Sequence, residues 1–158
     1  MAELTHFDDN GNAHMVDISE KKISFRIAKA ACSIQMSLET LKIISDGSAK
    51  KGDVLNVARI AGIQGAKRTS ELIPLCHPIS LTKVNLDLTL NNKLPGIEII
   101  ATAKTTGPTG VEMEALTAAS VSALTVYDMV KSLDKSLIIK NLRLILKDGG
   151  KSGRYESL

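Results

Sequence analysis

The sequence predicts an α+β domain: a ferredoxin-like, antiparallel four-stranded sheet with helices on one face and one added helix. Segments in which apolar and polar residues alternate predict strands, and apolar residues three or four apart predict helices. These segments follow in the order strand, helix, helix, strand, strand, helix, strand. Two helices over one face of an antiparallel sheet are the economical arrangement for that order. The 158 residues, 44% of them hydrophobic, suit a single domain over residues 1–158.

The first predicted element is a strand that follows a polar N-terminal arm. Residues 1–14 are polar and turn-rich, which predicts a mobile arm. In the stretch KKISFRIAK, the apolar residues Ile23, Phe25 and Ile27 alternate with polar ones. We therefore predict a half-buried strand in which these three side chains face the core.

Two helices come next, and each begins at a residue whose side chain can cap it. Ser37 is the expected N-cap of the first helix, which ends at Gly47, and Asp53 is the expected N-cap of the second. Small residues on one flank of the second helix leave room for a neighbouring backbone to approach closely. These small residues are Ala58, Ala61, Gly62 and Gly65.

A β-hairpin is predicted from two further alternating segments, TKVNLDLTL and GIEIIATAKT, which are joined by NNKLPG. The apolar side chains of the first segment are expected to point inward. They belong to Val84, Leu86, Leu88 and Leu90.

The longest helix is predicted from PTGVEMEALTAASVSALTVYDMVKSLDK, with Thr109 at its start. This helix is apolar nearly all round, so its charged residues should face an edge or a cleft. Thr109 and Glu112 have the spacing of a capping box, which competes with a ligand role for Glu112. The stretch SLIIKNLRLILK predicts the last strand, and residues 148–158 predict a flexible, glycine-rich tail.

Composition and motifs exclude several classes of function. The net charge of +3 suits a phosphorylated ligand, whereas four aromatic residues are too few for a platform that stacks single-stranded nucleic acid. The chain contains no apolar stretch of membrane-spanning length and begins with acidic residues, so we expect a soluble, cytoplasmic protein. Common nucleotide-binding and metalloprotease motifs are absent. Two cysteines without metal-ligand spacing predict no metal site.

The loop ELIPLCHPIS places a thiol beside an imidazole, Cys76 and His77, between Pro74 and Pro78. Adjacent residues of an extended loop point to opposite sides, so this pair cannot readily act as nucleophile and base. We interpret Cys76 as a small buried hydrophobic residue. His77, held by Pro78, is then expected to donate an oriented hydrogen bond to a ligand.

Candidate groups for proton transfer lie on the long helix. Asp128 and Lys131 are three residues apart and therefore neighbours, and Glu114 lies about 40° short of four whole turns before Asp128. A carboxylate beside a lysine can tune either pKa, although a surface salt bridge is the competing interpretation. Cations that could hold phosphate, each also typical of a solvated surface, are scattered along the chain. They are Lys51, Lys67, Arg68, Lys131, Lys147 and Lys151.

Four stretches of the chain resemble a known family: MVDIS, KGDVLNVARIAGIQGAKRTSELIPLCHPISLTKV, GVEMEALTAASVSALTVYDMVKSLDK and GGKSG. The chain is similar in these stretches to the cyclic pyranopterin monophosphate synthases, molybdenum cofactor biosynthesis protein C. The resemblance extends from about Leu4 to Arg154. It implies a single catalytic domain of ferredoxin-like fold, assembled as a homohexamer from three dimers with active sites between subunits.

The resemblance also implies a reaction and a set of site residues. The substrate would be 3′,8-cyclo-7,8-dihydro-GTP from the preceding radical enzyme, and the lyase products would be cyclic pyranopterin monophosphate and pyrophosphate. No cofactor is implied, and Mg²⁺ would enter only with the substrate triphosphate. Asp128 and Lys131 match the acid/base pair. Matching substrate contacts are Leu75, Cys76, His77, Met113, Glu114, Lys51, Lys67, Arg68, Glu112, Lys147 and Lys151.

A non-catalytic function is the alternative, because ferredoxin-like domains also serve as nucleotide-binding or sensor modules. Such a module would bind the cyclised nucleotide and leave it unchanged. A tail that closes over the substrate is a further expectation, because the glycines of DGGKSGR allow motion and its cations favour phosphate.

Overall fold

Five strands and four helices are present in the computed structural model, which describes residues 6–8 and 10–157. The predicted α+β class is confirmed, and a short helix and a short fifth strand add to the predicted elements. In chain order the elements are β1 (Ser24–Gln35), α1 (Leu38–Ser45), α2 (Val54–Lys67), α3 (Thr69–Leu72), β2 (Lys83–Asn91), β3 (Gly96–Gly107), α4 (Glu112–Val130), β4 (Ile138–Asp148) and β5 (Tyr155–Glu156).

The strands form one antiparallel sheet in the order β2-β3-β1-β4-β5. Its four long strands have the order of the predicted ferredoxin-like sheet, and β1 lies in the centre. The fifth strand is two residues long and pairs with the end of β4. Two residues are too few to show the alternation that predicts a strand from sequence.

The core lies between the sheet and the helices, and the predicted inward face of β1 is wrong. Ile23 and Phe25 are 73% and 54% exposed, and Ile27 is only half-buried. The buried apolar face of β1 instead consists of Ala28, Ala30, Cys32 and Ile34. The reason is close packing by α4, since Cys32 Sγ lies 3.4 Å from the carbonyl oxygen of Ala119. Three of the four side chains on the covered face are therefore small, those of Ala28, Ala30 and Cys32.

Helices α2 and α4 pack closely through glycine, as the small residues of α2 predicted. A Cβ atom added at Gly62 would lie 2.9 Å from the carbonyl oxygen of Ala118, and one at Gly65 would lie 2.8 Å from Val121. Because Lys51, before α2, contacts Asp128 near the end of α4, the two helices run antiparallel. The C-terminal end of α2 thus lies beside the N-terminal half of α4.

Two of the predicted helix caps are confirmed and one is wrong. The Ser37 hydroxyl accepts a hydrogen bond from the Thr40 amide at 3.2 Å, and the Asp53 carboxylate accepts one from the Asn56 amide at 3.0 Å. Helix α4 begins at Glu112 after Val111, without a side-chain cap, so Thr109 and Glu112 form no capping box. Val111 is buried, and the Glu112 carboxylate pairs with Lys147 instead.

The described part of the N-terminal arm contains a local turn. Phe7 and Ala13 form a β-bridge, and the Asp8 carboxylate accepts hydrogen bonds from the amides of Asn10 and Asn12. Residues 1–5, 9 and 158 lie outside the described residues, so the mobility of the arm and of the tail stays a prediction. Within residues 6–8 and 10–157, no helix combines the length and apolar character needed to span a bilayer.

Candidate functional site

One cluster of charged groups lies at the C-terminal end of α4 and consists of Lys51, Asp128 and Lys131. Lys131 Nζ lies 2.6 Å from one Asp128 carboxylate oxygen, and Lys51 Nζ lies 3.1 Å from the other. Lys51 also donates to the main-chain oxygen of Asp128 at 2.8 Å. We call these three residues the C-terminal cluster. All three side chains are about half exposed, so a ligand can reach them.

The hydrogen bonds of the C-terminal cluster keep Asp128 and Lys131 ionised. The Lys131 ammonium, followed by that of Lys51, holds the pKa of Asp128 below its usual value. In return, the Asp128 carboxylate raises the pKa of Lys131. In this arrangement Lys131 is an ammonium at neutral pH, and its hydrogen bond to Asp128 fixes its direction.

A second group of residues, the N-terminal cluster, lies at the opposite end of α4: Cys76, Glu112, Glu114 and Lys147. Glu114 is buried, and this burial, together with the charge of Glu112, raises its pKa to about 7. A carboxyl group with that pKa can donate or accept a proton near neutral pH. Burial and the nearby Glu114 raise the pKa of Cys76, so its thiol stays protonated and is a weak nucleophile.

A cavity of about 640 Å³ opens beside the N-terminal cluster. Its walls come from the start of β1, the loop before α4 and the turn after β4. Four cations line it together with one carboxylate, which gives the cavity a positive potential suited to an anionic ligand. These charged residues are Lys21, Lys22, Arg26, Lys151 and Glu112.

Arg26 ties the walls of this cavity together. Its guanidinium donates to the carbonyl oxygens of Pro108 and Gly149, at 3.3 and 3.4 Å. Gly149 and Gly150 have φ angles of +97° and +82°, and a Cβ atom at Gly150 would collide with the guanidinium. Among the described residues, Arg26 Nε has no hydrogen-bond partner although it is buried. The guanidinium therefore retains one buried N–H donor without a partner in the described part of the chain.

The imidazole of His77 contacts the main chain of the N-terminal segment. Its Nε2 atom lies 2.7 Å from the carbonyl oxygen of Val16. Both residues are half-buried. In the free chain this nitrogen is directed to protein and not to open space, so the expected hydrogen bond from His77 to a ligand stays a prediction.

Residues 15–150 match the model of the MoaC family. The chain belongs to the MoaC family. It is 60% identical over 157 residues to the cyclic pyranopterin monophosphate synthase of Cereibacter sphaeroides, with 99% of each chain covered. It is 61% identical to the enzyme of that name from Jannaschia sp., covering 99% of this chain and 96% of the relative. For the Methylobacterium nodulans protein of the same name, identity is 57%, with 99% and 98% covered.

The fold of this MoaC-family chain separates the predicted site residues into groups. Glu114 and Asp128 are 14 positions apart on one helix, a distance of about 21 Å along its axis. Glu112, Glu114 and Lys147 lie at one end of α4, and Lys151 lines the adjoining cavity. Asp128 lies at the other end. A single copy therefore does not bring the two clusters into one site.

Four other predicted residues lie near the N-terminal half of α4. Lys67 ends α2 and lines a separate cavity of about 360 Å³ beside β2, and Arg68 follows as the C-cap. Leu75 is half-buried in the proline-bounded loop, whereas Met113 is exposed at the start of α4. Their assignment as substrate contacts stays a prediction.

Three cations of the cavity, Lys21, Lys22 and Arg26, were missed by sequence reasoning. The alternation in KKISFRIAK placed Lys22 and Arg26 on the polar face opposite Ile23, Phe25 and Ile27, and nothing in the sequence joined them to residues 108–112 or 149–152. The signal that could have found them is the density of cations in the stretch KKISFR. In the described part of the MoaC-family chain, no group of three or more His, Cys, Asp or Glu residues could hold a metal ion.

Proposed function

We propose that the protein is a cyclic pyranopterin monophosphate synthase of molybdenum cofactor biosynthesis. It would convert 3′,8-cyclo-7,8-dihydro-GTP, supplied by a preceding radical enzyme, into cyclic pyranopterin monophosphate and pyrophosphate. This activity belongs to the phosphorus-oxygen lyases, and we expect it in the cytoplasm. Support comes from membership of the MoaC family and from full-length relatives with that name.

The observation that carries the proposal is the cation-lined cavity at the end of α4 where Glu114 is buried. A triphosphate is the most highly charged part of the proposed substrate, and ammonium and guanidinium groups are its natural partners. Lys21, Lys22, Arg26 and Lys151 supply such groups from different parts of the chain. As the ribose hydroxyl attacks the α-phosphate, the same cations would stabilise the charge that builds on the departing pyrophosphate. Any Mg²⁺ would arrive with the triphosphate.

Ring opening and pterin closure require groups that hold and release protons. Glu114 fits this requirement, because its pKa of about 7 allows either protonation state. Lys131 would donate a proton to the base or the sugar, with Asp128 orienting its ammonium through their 2.6 Å contact. The chemistry is proton transfer and phosphate displacement, so we expect no redox cofactor.

The separation of the two clusters supports an assembled site. Because about 21 Å of helix divides Glu114 from Asp128, we propose that the C-terminal cluster of one copy meets the cavity of another. Two such sites related by a two-fold axis make a dimer. A homohexamer built as three dimers would contain six of them.

Turnover of the purified intermediate tests this proposal. We expect the wild-type chain to release pyrophosphate from 3′,8-cyclo-7,8-dihydro-GTP and to form cyclic pyranopterin monophosphate. Asp128→Asn and Lys131→Ala should each lower kcat by at least about 100-fold, because each removes a member of the proton-donating pair. Lys135→Ala, which removes an exposed lysine four residues further on, is the matched control and should retain full activity.

Two results would contradict the proposal. A wild-type chain that binds the intermediate and returns it unchanged would identify a sensor module. Full turnover by both Asp128→Asn and Lys131→Ala would remove the C-terminal cluster from the chemistry.

A further inference from the structure

The contact between His77 and Val16 joins parts of the chain that are 61 residues apart in sequence. A carbonyl oxygen only accepts hydrogen bonds, so the Nε2 atom of His77, 2.7 Å away, must carry the proton. The loop that bears His77 is stiff, since Pro74 and Pro78 restrict it and the Cys76 amide donates to the Ile73 carbonyl oxygen at 3.1 Å. The imidazole is thus a fixed anchor for the N-terminal segment.

Two hydrogen-bonded turns connect Val16 to the lysines that follow it. The Asp17 carboxylate accepts a hydrogen bond from the Ser19 amide at 2.9 Å. The Lys21 amide then donates to the Ile18 carbonyl oxygen at 3.1 Å. Residues 16–21 therefore form a short, internally bonded unit and not a loose connection.

The unit ends at the cation-lined cavity. Lys21 and Lys22 line that cavity, whereas His77 is absent from its walls in the part of the chain that the structure describes. His77 therefore has a physical route to a ligand in the cavity, and this route runs through Val16 and the two turns.

We propose that His77 is a positioning residue that delivers Lys21 and Lys22 to the anionic ligand of this cavity. Its hydrogen bond to Val16 fixes the segment 16–22. The two ammonium groups then face the phosphates, and binding costs less conformational entropy because the segment is already ordered. The identification of the ligand as a triphosphate rests on the proposed function. The anchoring itself does not, and the experiment separates the two.

The first measurement needs no ligand and follows amide hydrogen exchange of the full-length chain. In His77→Ala, the amides of Ser19 and Lys21 should exchange about 3- to 10-fold faster, the range expected for loss of one hydrogen bond. His77→Gln should exchange like the wild type, because its amide can donate to Val16 but cannot exchange protons near neutral pH. His14→Ala, which removes an exposed histidine of the same segment, is the matched control.

The second measurement is the affinity for inorganic tripolyphosphate, which carries the charge of the proposed substrate without its base. His77→Ala should weaken binding about 3- to 10-fold, and His77→Gln should restore it. In a chain that already carries Lys21→Ala and Lys22→Ala, His77→Ala should cause no further loss, because the groups it positions are gone. With the cyclised GTP intermediate, His77→Ala should raise KM and leave kcat within about two-fold.

Unchanged exchange at Ser19 and Lys21 in His77→Ala would overturn the anchoring. Two results would overturn the positioning of the lysines. One is a wild type that fails to bind tripolyphosphate altogether. The other is that His77→Ala weakens binding as much in the double lysine variant as it does in the wild type. A drop in kcat that His77→Gln does not restore would instead assign His77 to the chemistry. None of the first three outcomes depends on turnover, so an inactive wild type would defeat the proposed function alone.

Discussion

Glu114 combines burial with a titratable group at the start of α4. Only 3% of the residue is exposed, and its pKa is raised to about 7, first by burial and then by the charge of Glu112. Cys76 lies close enough for the same carboxylate to raise the pKa of the thiol. An ionisable group held in this way is costly for stability, which is typical of a functional position.

Replacing Glu114 by glutamine should therefore stabilise the folded chain in a pH-dependent manner. The folded pKa of about 7 exceeds the unfolded value of 4.5, so stability is fully present below pH 4.5 and falls as the pH rises to about 7. Glu114→Gln removes this loss, and its free energy of unfolding at pH 8 should exceed that of the wild type by about 3 kcal/mol. Urea unfolding at pH 5 and pH 8, at one protein concentration, measures the difference.

Glu71→Gln is the control for that experiment, because Glu71 is exposed on α3. It should change stability little at either pH. A gain for Glu114→Gln that is equal at pH 5 and pH 8 would argue against a raised pKa.

At the scale of elements, the contact between α2 and α4 sets the position of both clusters. Gly62 and Gly65 let the two backbones approach, and Lys51 reaches Asp128 because of this approach. The same packing brings the end of α2 beside the start of α4. A change in this interface should therefore affect stability and site geometry together.

Gly62→Ala should destabilise the chain by about 1 to 3 kcal/mol, because the new Cβ atom would lie 2.9 Å from a backbone oxygen that cannot move aside cheaply. Gly107→Ala is a suitable control, since the nearest atom to its Cβ would be 3.7 Å away. Chemical denaturation of both variants gives the comparison. Equal stability of the two would mean that the helices separate without cost.

Elements were predicted well where local chemistry determines them. Ser37 and Asp53 cap their helices because a short polar side chain can reach an amide within its own turn. The inward face of β1 depends instead on what packs against it, and alternation alone does not tell which of two faces α4 covers. Thr109 failed as a cap for the same reason: burial of Val111 sets the start of α4.

The candidate site was predicted in part, because its residues come from distant segments. Asp128 and Lys131 are helix neighbours, so spacing alone placed them in contact. The folded sheet brings Lys151 into one cavity with three other cations, Lys21, Lys22 and Arg26. Local sequence patterns do not predict this proximity. The bond between His77 and Val16 is equally invisible, because 61 residues separate its partners.

At the scale of the whole molecule, the proposed reaction requires two copies to share one site. The cavity and Glu114 lie at one end of α4, and Asp128 with Lys131 lies at the other. No movement of side chains within one copy spans about 21 Å of helix. In the proposed shared site these separated groups would serve one substrate, and activity would be a property of the assembly.

Complementation between two inactive chains tests this claim most directly. Glu114→Gln and Asp128→Asn should each lower turnover of 3′,8-cyclo-7,8-dihydro-GTP by at least about 100-fold when assembled alone. Co-expressed in equal amounts, half of randomly formed pairs are mixed, and each mixed pair contains one site with both native residues. We predict recovery to about a quarter of wild-type activity. A co-assembled sample as inactive as its two parents would contradict the shared site.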